Sequence, residues 1–93
     1  MSTPSVDPAL GSFVATAVAD LASRLGIDAS EVSVVSAHMV TWPDRGLGCP
    51  QPGMVYPQVQ VDGTKIELSA RGTVYAYHSG GSRGPFLCEK SAT

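Results

Sequence analysis

Residues 7–42 read DPALGSFVATAVADLASRLGIDASEVSVVSAHMVTW, and within that stretch the apolar period changes once. In its first half Leu10, Phe13, Val14, Ala17, Leu21 and Leu25 fall on one side of a 3.6-residue turn. Asp7 can accept from the first free amides, and Pro8 suits the first helical position. Ala15, Ala19 and Ala22 add helix propensity. Gly26 follows as a left-handed stop. The pattern predicts a helix over 8–25, its apolar face packed on a sheet. From Val32 the composition turns β-branched, and a strand over 32–42 is expected. Val34, Ser36, His38, Val40 and Trp42 alternate with Val35, Ala37, Met39 and Thr41. Neither set is wholly apolar, which points to a bulge or twist near Val35.

Working outward, residues 43–57 carry Pro43, Pro50, Pro52 and Pro57 together with Gly46, Gly48 and Gly53. No regular element tolerates that mixture, so a long proline-stiffened loop is expected. Gln58 to Val61 reads as a second strand. Asp62-Gly63 reads as a two-residue hairpin turn, and Thr64 to Ser69 as the returning strand. Ile66 and Leu68 face one way there, Lys65 and Glu67 the other. Ala70-Arg71-Gly72 turns again, and Thr73 to His78 is the last long strand. Ser79 to Gly84 reads as a flexible Gly/Ser segment before the apolar Phe86-Leu87-Cys88. Upstream, residues 1–6 form a flexible tail and 7–93 a single domain. The fold class is α+β: one N-terminal helix packed on an antiparallel sheet of about four strands, a two-layer sandwich.

Ninety-three residues support one core. Apolar residues at 43% and charged ones at 15% describe a folding chain, not a disordered one. A net charge of -2 and scattered basic residues argue against nucleic acid, which needs a basic stripe. No window is long and apolar enough for a membrane span. The N-terminus lacks a basic n-region, so it does not read as a secretory signal. Cys49 and Cys88 would close a loop of about 40 residues, worth roughly 3–4 kcal/mol as a disulfide; two buried thiols are the alternative. An oxidised pair, with Met1 not the native start, implies export; otherwise the chain is cytoplasmic.

No nucleophile elbow, phosphate loop or zinc-protease helix is present, and Cys49 does not open a helix that would activate it. No enzyme and no cofactor are expected. Cys49, Cys88 and His38 or His78 supply enough ligands for zinc, but none of the short clips that make such sites rigid. Trp42 and the tyrosines Tyr75 and Tyr77 read first as packing residues. The better candidate site is the loop 45–56. Arg45, Leu47, Pro50, Gln51, Met54 and Tyr56 would be presented on a backbone restrained by proline and braced by Cys49. Such bracing reduces the entropy lost on binding. The chain thus reads as a small protein-binding module, with protease inhibition as the sharpest version and Leu47 or Met54 entering the protease pocket. An accessory domain with an inert loop is the alternative.

Trp42-Pro43-Asp44, Leu47-Gly48-Cys49-Pro50, Pro52-Gly53, Tyr56, Gln58 and Tyr75-Ala76-Tyr77-His78 resemble a family of small, functionally uncharacterised bacterial domains. It is common in actinobacteria and cyanobacteria and often exported. The resemblance covers roughly residues 18–78 and implies a domain type without an activity. The chain departs from that pattern at Arg45-Gly46, where small or polar residues are usual. Asp62-Gly63-Thr64 also stands in place of Pro-Gly-Tyr. The order helix, strand, presented loop, strand is similar to that of potato-inhibitor-type protease inhibitors, with no motif matched residue by residue.

Overall fold

A computed structural model of the chain describes residues 5–49 and 53–88. Asp7 accepts from the Ala9 amide at 2.9 Å and opens a 3₁₀ turn, Pro8–Leu10. That turn leads into helix α1, Gly11–Leu25. Gly26 ends the helix with φ 65°. Its amide and that of Ile27 reach back to Ser23 and Ala22, a closure that tolerates little but glycine at the left-handed position. A second 3₁₀ turn, Ala29–Glu31, leads into the sheet.

The sheet comprises β1 (Ser5–Val6), β2 (Val32–Trp42), β3 (Val61–Ala70), β4 (Thr73–Gly80) and β5 (Arg83–Leu87), in that spatial order. Strands β2 to β5 form an antiparallel meander, and α1 packs across it. Strand β1 adds a two-residue parallel edge beside Ser36 and Ala37. Ser5 and Val6, expected in the flexible tail, are therefore paired.

Register against β3 slips between Val34 and Ser36, leaving Val35 bulged out and exposed. The bulge resolves the mixed faces read from the strand. It moves Val34 onto the side of Ala37, so the apolar residues of β2 meet the helix. Leu21, Ile66, Leu68 and Tyr77 fill the core, with Leu10, Ala17, Ala37 and Ala70 around them. Phe13, read as part of the apolar face, lies at its margin and stays partly exposed.

Asp62-Gly63 is not a turn. It lies inside β3, opposite Thr41 and Val40 of β2. The two-residue hairpin with both φ positive is Arg71-Gly72, at 50° and 84°, the type I′ requirement. Gln58 to Gln60 belong to the loop, which is described over 43–49 and 53–60. The segment 79–84 is no flexible linker: Gly80 pairs with Arg83 around Gly81-Ser82, and β5 follows.

Gly63 is in β3 for a different reason. A Cβ there would run into the Ser79 carbonyl and the Trp42 indole nitrogen. We predict that Gly63→Ala costs about 3 kcal/mol, the upper range for forced overpacking, measured by urea denaturation with Trp42 fluorescence.

Helix and sheet are also joined by polar contact. The buried Tyr77 hydroxyl donates to Asp20 Oδ2 at 2.7 Å, and Arg24 Nε donates to the same oxygen at 2.6 Å. The Tyr77 hydroxyl, then Arg24, hold the Asp20 carboxyl below the usual carboxylate range. Burial first, and then Asp20, push the Tyr77 hydroxyl far above its ordinary value. Since Asp20 is lowered in the folded state, its contribution is present above the unfolded carboxylate pKa of about 3.9 and fades as pH falls below it. Tyr77→Phe should thus cost about 1 kcal/mol at pH 7. The difference from wild type should shrink in denaturation curves taken below about pH 3.5.

Candidate functional site

The face of the sheet away from α1 carries cross-strand rows read directly from the register. Val40 pairs with Gly63, and Gly63 with Gly80; His38 pairs with Lys65, Lys65 with His78, and His78 with Phe86; Ser36 pairs with Glu67 and Glu67 with Ala76. Trp42, the only tryptophan, closes β2 at one end of this face. Its indole N–H donates to the Ser79 carbonyl at 2.8 Å. Its ring stacks on His78 at 4.7 Å between centroids and 24° between planes. Phe86 meets His78 edge-on, and the Arg83 guanidinium sits 3.7 Å above Phe86.

Pro43 ends β2, and the chain folds back over Trp42 in consecutive turns. Asp44 Oδ1 accepts from the Gly46 amide at 2.8 Å, and the Cys49 amide donates to the Gly46 carbonyl at 2.9 Å. Leu47 has φ 53°, a left-handed conformation costly for a branched side chain. Its burial offsets that strain: Leu47 is 5% exposed and lies over Gly80, where a Cβ would collide with it. The Leu47 carbonyl meets His78 Nδ1 at 2.7 Å. A carbonyl only accepts, so Nδ1 carries the proton and donates. Gly48, with φ 70°, passes across the Trp42 ring with no room for a Cβ. Cys49 is bonded to Cys88 just beyond β5, Cα to Cα 5.8 Å.

The loop expected over 45–56 thus divides. Leu47 is buried and cannot enter a partner's pocket, which corrects its assignment to the presented surface. Arg45 is exposed, and its amide donates to the Pro57 carbonyl at 3.3 Å, tying the two arms together. Tyr56 is half-buried, its ring near Gly46. Pro50 and Gln51 lie outside the described residues, as does Pro52. Met54 and Val55 project outward at 60% and 94% exposure. Since Cys49 and Cys88 are joined, neither is a thiolate, and the zinc alternative loses both sulfur ligands. His38 is exposed on β2, whereas His78 is buried on β4 with Lys65 on the strand between them. Tyr75 and Tyr77 face the helix, and His78 faces the other side of the sheet.

Between the packed arm of the loop and the open sheet lies a groove of about 530 Å³. Trp42 and His78 wall it, Gly48 and Cys88 rim it, and Lys65, Glu67 and Ala76 are in its floor. Sequence reading missed it, although the signal was present: Lys65 and Glu67 alternate with the core residues Ile66 and Leu68.

The model of a family described as a domain of unknown function, DUF8738, matches residues 14–88. The chain belongs to the DUF8738 family. The match takes in both halves of the disulfide, the intervening loop and the whole β2–β5 meander of this DUF8738 domain. No curated protein and no solved structure matches the chain. Among the described residues no helix is long and apolar enough to cross a membrane.

The disulfide spans 39 positions, and loop-closure entropy of that length amounts to about 3–4 kcal/mol. The double variant Cys49→Ser/Cys88→Ser should therefore melt on the order of 15 °C lower than wild type by calorimetry. It should also lose the Trp42 near-ultraviolet circular dichroism before the far-ultraviolet signal, because the bond holds the loop over that ring.

Proposed function

We propose that this DUF8738 domain is a protein-binding module whose contact surface is the outer arm of the loop, residues 53–60. The observation that carries the reading is Val55. A β-branched apolar side chain 94% exposed has no packing role in this fold, and it sits beside Met54 on a tethered backbone. The inner arm is held by Cys49–Cys88 and by Leu47, and the Arg45–Pro57 hydrogen bond ties the outer arm to it. An apolar side chain on a segment anchored at its base needs little further ordering on binding. Protease inhibition is the sharpest form of the reading, with Met54 or Val55 entering the specificity pocket, because an anchored loop keeps its ends together after cleavage.

A specific observation favours the accessory-domain reading as well. Leu47, Gly48 and Cys49 have full structural employment against Trp42, His78 and Cys88, so the most distinctive part of the loop motif is explained by packing alone. That reading leaves Met54 and Val55 without consequence.

Incubation of the oxidised protein with a panel of serine and cysteine proteases separates the two. Inhibition should be abolished in Val55→Asp, while its melting temperature stays within a few degrees of wild type, as expected of a surface change. Absence of inhibition across the panel, with fast cleavage within 53–60, removes the inhibitor form.

A further inference from the structure

The chemistry left unexplained by the loop lies in the groove. Lys65 and Glu67 are two residues apart on one face of β3, roughly 6.8 Å at strand rise, and both are half-buried. Glu67 is committed: Ser36 Oγ donates to its Oε1 at 3.0 Å and draws the carboxylate toward β2. Lys65 makes no hydrogen bond or ion pair with any described residue. Its cross-strand neighbours are His38 and His78, and the Nδ1 of His78 is taken by Leu47. The Lys65 cation thus lines the groove without a direct counter-ion, its neighbour Glu67 lying one row away and held by Ser36. On the β4 side Ala76 and then Val74 give an apolar stretch between the polar His78 and Thr73.

We propose that this groove binds a small apolar monocarboxylate. The ligand carboxylate meets Lys65 Nζ in a charge-assisted hydrogen bond, and its apolar body lies over Ala76 toward Val74. Glu67, one row along, repels a second negative charge and selects against dicarboxylates. The volume suits such a ligand, since small-molecule sites run roughly 300–1,000 Å³. The proposal is independent of the role of Met54 and Val55.

The test titrates the oxidised, ¹⁵N-labelled full chain with 3-phenylpropionate, 3-phenylpropionamide and phenylsuccinate, read by NMR. Phenylpropionate should shift the amides of Lys65 and Ala76 and the indole N–H of Trp42. The amide and the dicarboxylate should bind about tenfold more weakly, the factor expected for losing one charged hydrogen bond or adding one repulsion. Lys65→Met should weaken phenylpropionate about tenfold and leave phenylpropionamide unchanged. Lys65→Gln provides the same comparison should the methionine variant fold poorly. The proposal is overturned if millimolar phenylpropionate shifts nothing, if the shifts map away from the groove, if acid and amide bind equally, or if removing the Lys65 charge changes nothing.

Discussion

Trp42 is seated in a socket made by the absence of side chains. Gly63 beneath it and Gly48 above it leave the space its indole fills, and Gly80 opens the neighbouring position for Leu47. The indole N–H closes the arrangement on the Ser79 carbonyl, so a large ring is packed with its one polar atom satisfied. Everything on this side of the sheet depends on that fit. It sets how the chain turns back after Pro43 and which way the Leu47 carbonyl points. Through Leu47 it also fixes the proton on His78 Nδ1.

Two cores result from one sheet. The helix side is apolar and conventional, with Tyr77 as the exception that passes a hydroxyl out to Asp20. The other side is smaller and mixed, built from Trp42, Leu47, His78 and Phe86 and clamped by the disulfide. A chain of this size buries limited apolar area, and covering part of the second face with a loop adds to it. Coverage is incomplete, and the groove with Lys65 and Glu67 is what the loop leaves open. Both the exposed arm and the groove are by-products of one packing event, although they present different chemistry: an apolar projection in one case, a cation beside an apolar floor in the other.

Much of the architecture was legible. The helix and its glycine stop, the strand over 32–42 and the bulge at Val35 follow from local period and residue type, because short-range sterics and amphipathicity act within a few residues. The turns were less legible. Asp62-Gly63 has the chemistry of a hairpin, yet its glycine serves the Trp42 ring from within a strand; the turn read at Ala70-Arg71-Gly72 is present, with Arg71 in the left-handed region. At the site, the exposure of Met54 and the importance of Cys49 and Cys88 were readable, but Leu47 was not. An apolar residue between two glycines looks presented until the surface that buries it is known.

The sequence by itself determined the class of the fold and the pairing partners available to sulfur, since these follow from periodicity and count. Only the tertiary structure decided which glycines are turns and which are clearances, which loop residue is inside, and that Lys65 has no ion pair among the described residues. Those are properties of distances between residues far apart in the chain, and local pattern carries no information about them.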